Sequence, residues 1–116
     1  MAVIAEGELP KSPILEVVGP EHAERETTWV LKGELDVSSV GLLQEALRSS
    51  QGCLRLVLDM TDLVFMDSAG VAMLLRAAEV PGCVEVVLRN PRQAIRRVCE
   101  ITGLDQHPVI LLEPSS

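Results

Sequence analysis

Across residues 14–112 the chain alternates between two hydrophobic rhythms. Apolar side chains at every second position mark a strand, and at every third or fourth position a helix. Leu15 and Val17 against Ile14, Glu16 and Val18 predict a short first strand, and the polar run 20–26 a turn. Trp29, Leu31 and Leu35 oppose Thr28, Lys32 and Glu34 in a second strand over 27–35. Asp36 with Ser38 or Ser39 offers helix caps, and Val40, Leu43 and Leu47 then recur at helical spacing through about 49. A third strand is expected over 53–59, followed by a short connection and a second helix over 68–79 that buries Val71, Leu74, Leu75 and Ala78. A fourth strand over 83–89 sets Val84, Val86 and Leu88 against Glu85 and Arg89. Asn90-Pro91 reads as the start of a third helix, which turns Ile95, Val98 and Thr102 inward and stops at Gly103. A last short strand covers 109–112.

The order is β-β-α-β-α-β-α-β, an α/β fold. Strands joined through helices are expected to be parallel, with right-handed crossovers. A sheet covered on both faces reads as continuous apolar runs, whereas these strands alternate. The expected architecture is therefore a mixed, mostly parallel sheet of four to five strands with helices mainly on one face. Residues 1–12 read as a flexible tail, 13–113 as a single domain and 114–116 as a C-terminal tail.

Composition narrows the function. The hydrophobic share of 47% comes from Val, Leu, Ile and Ala, with Trp29 and Phe65 the only aromatic residues. Such a chain has little to stack on nucleic-acid bases, and a net charge of -7 repels both nucleic acid and anionic membranes. No apolar run approaches the roughly 20 residues of a membrane span, so a cytoplasmic location is expected. His22 and His107 both lie where no dyad with a serine is expected, and there is no nucleophile elbow or phosphate-binding glycine loop. No enzyme, no cofactor and no metal is expected.

Cys53, Cys83 and Cys99 are odd in number and widely spaced, which supports neither a disulfide framework nor a zinc site. Reduced, mostly buried thiols are the plain expectation. Yet 51–54 (QGCL) and 81–84 (PGCV) open two successive strands in the same way. That makes Cys53 and Cys83 a candidate redox pair across a sheet edge, provided their geometry allows a bond.

Asp36, Asp59, Asp62 and Asp67 all fall at strand C-terminal ends or just beyond, the edge where open parallel sheets place their sites. They read either as caps and solvated loop acids or as an acidic rim around Ser68. From spacing alone Ser68 is a helix cap; its setting, between Asp67 and the small Ala69 and Gly70, also suits a phosphate. Phosphate there would add about -1.5 to -2 charge beside Asp67 and Asp36.

Two motifs now carry a resemblance: 33–36 (GELD) and 59–71 (DMTDLVFMDSAGV). Together they closely resemble the STAS domain, above all the single-domain anti-sigma factor antagonists of bacteria, over nearly the whole chain. The resemblance implies that Ser68 accepts a phosphate from an anti-sigma factor that is a GHKL-type serine kinase, and that a phosphatase resets it. Unphosphorylated antagonist binds that factor and frees the sigma factor; phosphorylated antagonist does not. Asp36, Asp67, Ser68, Ala69 and Gly70 would then form the partner-binding face, with Arg76 near the family's basic position in the second helix. Ala69 removes a second hydroxyl present in some members. The alternative is an adaptor subunit of a lipid-transport ATP-binding-cassette complex or a stressosome-like assembly. Monomer or weak dimer is expected.

Overall fold

The computed structural model describes residues 15–113; the two tails expected at 1–12 and 114–116 lie outside the described residues. In chain order it contains β1 (Leu15–Ala23), β2 (Glu26–Leu35), α1 (Val40–Arg48), β3 (Arg55–Met66), α2 (Ser68–Ala77), β4 (Glu85–Arg89), α3 (Gln93–Thr102), a 3-10 turn (Leu104–Gln106) and β5 (Ile110–Leu112). Among the described residues the strands form one five-stranded sheet in the order β1-β2-β3-β4-β5. β1 is antiparallel to β2, and the remaining neighbours are parallel.

Spatial order equals chain order, so the three helical crossovers all step in the same direction. Right-handed crossovers that step the same way place their helices on the same face. The core follows from this. Leu31, Leu56, Leu58, Val86 and Leu88 pack with Leu43, Leu74 and Ile95 in one cluster. Val57 and Val87, on the alternate positions, are also fully buried but stand outside that cluster. Around them Arg55 pairs with Glu26 at 3.1 Å and Glu85 at 2.9 Å, and Arg89 with Glu113 at 3.5 Å. The Trp29 indole donates to the Ser50 hydroxyl at 2.8 Å, which in turn donates to the Ala46 carbonyl at 2.7 Å, tying the end of α1 to β2.

The fold class matches the expectation, while several boundaries do not. Most of the expected turn at 20–26 is strand: β1 runs to Ala23 and only Glu24 and Arg25 turn, with Glu24 at φ 54°. β3 does not stop at Asp59 but continues to Met66, because β2 offers pairing as far as Leu35↔Met66, with two register shifts absorbing the irregularity. On α2, Met73 and Ala77 are buried instead of Leu75 and Ala78; Leu75 is exposed. Val84 precedes β4 and is exposed. Helix α3 starts at Gln93, since Asn90 takes φ 54° and is not helical. Cys99 is buried there, whereas Thr102 lies at the surface and its hydroxyl returns to the Val98 carbonyl at 2.7 Å.

Candidate functional site

The site forms where β2 and β3 end side by side. Asp67 follows Met66 in extended conformation, and its amide donates to the Leu35 carbonyl at 3.3 Å. Its carboxylate then accepts the amides of Ala69 at 2.9 Å and Gly70 at 3.1 Å. Asp67, not Ser68, is thus the cap of α2. The sequence had left that role to Ser68, because serine and aspartate are comparable caps and spacing cannot choose between neighbours.

The consequence falls on Ser68. It is the first residue of α2, it is exposed, and among the described residues its hydroxyl makes no hydrogen bond. Its Oγ faces solvent at a helix start, where backbone dipoles favour an anion.

Gly70 sets how close α2 comes to β2. A Cβ at this position would lie 2.6 Å from Met66 Cγ, 2.7 Å from the Leu35 carbonyl oxygen and 3.1 Å from Leu35 Cγ. Only the missing side chain lets the helix start press on the residue that precedes Asp36.

Asp36 opens a compact loop. Its Oδ1 accepts the Ser38 hydroxyl at 2.6 Å and the Ser38 amide at 3.0 Å. Ser39 is buried; its hydroxyl donates to the Glu34 carbonyl at 2.7 Å and accepts the Asp36 amide at 2.9 Å. The Ser38 hydroxyl above all holds the Asp36 carboxyl below its ordinary value; burial opposes it, and the Ser38 amide and Ser39 add to the lowering. At neutral pH this face therefore carries the Asp36 carboxylate, held by its own loop, beside the Asp67 side chain that caps α2.

The structure brings Asp36, Asp67, Ser68, Ala69 and Gly70 together. It does not bring Arg76 there. Eight residues along α2 correspond to about 12 Å of rise, and Arg76 instead lines a cavity of about 280 Å³ between α1 and α2 with Arg48, Gln44 and Glu79. Asp59 and Asp62 also turn away: Asp59 accepts the Thr61 amide and hydroxyl, and Asp62 lies 3.8 Å from Arg92. Among the described residues no three His, Cys, Asp or Glu side chains group as metal ligands. His22 lies 3.2 Å from the Thr27 hydroxyl, and His107 Nδ1 accepts the Val109 amide.

Three apolar residues at this end went unread in the sequence. Val37 is 76% exposed in the loop after Asp36, and Val64 and Phe65 are about half exposed at the end of β3. From the sequence 60–67 reads as a short connection, whereas in β3 Leu63 and Met66 are buried. The exposed pair between them became visible only with the full length of β3. Exposed apolar side chains beside fixed charges suit a protein partner.

Residues 18–113 match the family described as Mlab, STAS domain. Among solved structures the chain is similar to an anti-sigma factor antagonist from Mycobacterium paratuberculosis, with 24% identity, 88% of this chain and 90% of that chain covered, and a TM-score of 0.70. It is also similar to the Bacillus anti-sigma factor antagonist SpoIIAA in its unphosphorylated form, with 26% identity, 86% and 88% covered, and a TM-score of 0.63. For the phosphorylated form of SpoIIAA, a Bacillus cell fate determinant, the values are 22%, 86%, 91% and 0.61. The match is to a regulatory, protein-binding fold and not to an enzyme scaffold. With the family profile spanning five strands and three helices of the described fold, this chain belongs to the STAS-domain family.

Proposed function

We propose that the chain is an anti-sigma factor antagonist switched by phosphorylation at Ser68. In this reading the unphosphorylated form binds a GHKL-type serine-kinase anti-sigma factor in the cytoplasm and so releases a sigma factor. Phosphate on Ser68 ends the binding, and a phosphatase restores it. The observation that carries this is the unengaged, exposed Ser68 hydroxyl on a helix already capped by Asp67. A phosphate there meets a helix start that tolerates an anion, while the face it stands on turns more negative beside Asp36 and Asp67. Likeness to SpoIIAA, known in phosphorylated and unphosphorylated forms, supports the same reading. Asp36, Asp67, Ala69 and Gly70 form the docking face in this proposal, and Val37, Val64 and Phe65 supply its apolar contacts.

Incubation with the cognate kinase and ATP is expected to add one phosphate, and Ser68→Ala to abolish the labelling. Ser68→Glu is expected to weaken binding to the anti-sigma factor. Absence of labelling by every anti-sigma kinase of the host, together with full binding by Ser68→Glu, overturns the proposal. A second reading, an adaptor subunit of a larger assembly, draws on the family description, which names Mlab and not an antagonist. A stable complex with an ATPase that ignores Ser68 substitutions would favour it.

A further inference from the structure

At the opposite end of β3 from Ser68, two glycine-cysteine turns lie against each other. The Gly52 amide donates to the Pro81 carbonyl at 3.1 Å, and a methyl group built on Gly82 would lie 3.5 Å from the Gly52 Cα. The Leu54 carbonyl accepts the amides of Val84 at 2.8 Å and Glu85 at 3.2 Å, and from there Arg55 pairs with Glu85 in parallel register. Cys53 and Cys83 stand at the same offset, two residues before this pairing begins. Parallel neighbours run about 4.8 Å apart, inside the Cα separation of roughly 4.4–6.8 Å that a disulfide spans.

Both side chains turn to the same side. Cys53 belongs to the core cluster and Cys83 packs against it while remaining partly exposed. Burial first, and then the neighbouring Cys83 thiol, push the Cys53 thiol above its ordinary pKa, so the two sulfurs are near enough to act on each other. Cys83 Sγ also lies 3.2 Å from the Glu85 carbonyl, which it faces as a donor. Cys99 differs: it is fully buried, and burial pushes its thiol up to about 11.

The geometry points to Cys53 and Cys83 as a reversible dithiol site that closes to an intrachain disulfide by exchange with a low-molecular-weight disulfide. The more exposed Cys83 thiolate attacks one sulfur of the small disulfide, forming a mixed disulfide and expelling one small thiolate, which takes up the proton Cys83 gave away. Cys53, deprotonated in turn, attacks Cys83 Sγ, forms the protein disulfide and expels the second small thiol. Two protein thiols are oxidised and one small disulfide is reduced to two thiols. The site is separate from the Ser68 face and stands whether or not Ser68 is phosphorylated.

The test treats the full chain with oxidised glutathione, blocks remaining thiols under denaturing conditions with an alkylating reagent, and maps the peptides by mass spectrometry. A linked Cys53–Cys83 peptide is expected, with Cys99 alkylated throughout. In Cys53→Ser, a glutathione adduct on Cys83 is expected to persist because nothing resolves it. The inference is overturned if the wild type keeps both thiols alkylatable, if it accumulates the Cys83 adduct without closing, or if Cys83 links only to a second chain.

Discussion

Because the Asp67 carboxylate accepts the amides of Ala69 and Gly70, its loss leaves two helix-start donors to water, whereas loss of the Ser68 hydroxyl strands no partner. Chemical denaturation should therefore separate two adjacent substitutions. Asp67→Ala is expected to cost about 0.5–2 kcal/mol, and Ser68→Ala to stay within about 0.5 kcal/mol of wild type. Equal losses in both would mean that Ser68 shares the cap. Asp36 has a different signature. Its folded carboxyl titrates below the unfolded one, so its favourable contribution is complete above the unfolded pKa and disappears as pH falls through the folded value. In an NMR titration the Asp36 midpoint should lie below the ordinary aspartate range. Ser38→Ala, which removes the first of the bonds holding it there, should move that midpoint upward.

For α2 as an element, position matters more than helix-forming tendency. Alanine in place of Gly70 raises helical propensity, yet its Cβ would meet the Leu35 carbonyl oxygen, a backbone atom that cannot step aside. Gly70→Ala is expected to destabilise by about 1–3 kcal/mol, read from the denaturation midpoint, and to weaken partner binding by lifting Ser68 away from the Asp36 loop. The elements themselves were legible in the chain because their apolar periods are clean. Their ends were less so, since ends depend on neighbours. β3 reaches Met66 only because β2 is there to pair with it, and β1 reaches Ala23 for the same reason. The buried stripe of α2 was misplaced from Met73 to Leu75 because nearly every residue of that helix is apolar. Around the site, the Asp-Ser-Ala-Gly turn could be read directly. The exchange of the capping role to Asp67 and the exposure of Phe65 could not, as both are set by conformation and not by residue type.

On the scale of the whole molecule the chain carries a formal charge of -7, and a phosphate on Ser68 would bring it to about -9. That charge falls at the sheet's C-terminal edge, away from the ion pairs of Arg55 with Glu26 and Glu85. The domain should therefore remain folded while its docking face changes. Ser68→Glu is expected to melt within about 4 °C of wild type, by calorimetry, even where partner binding falls steeply. A much larger loss of melting temperature would make unfolding, and not surface charge, the cause of lost binding.

The sheet's order, β1 to β5 without an exchange, also bears on how the molecule is made. Translation delivers the strands one after another, and each finds its parallel or antiparallel neighbour already synthesised and waiting at the growing edge. No strand has to be held open for a later one to slide in between two others, so most contacts close over a single hairpin or a single β-α-β unit. Three of the four pairings are nevertheless parallel and close only over a whole β-α-β unit, so they form more slowly than the β1–β2 hairpin. The sheet is thus closed at its far edge only when the last short strand, Ile110–Leu112, pairs with β4.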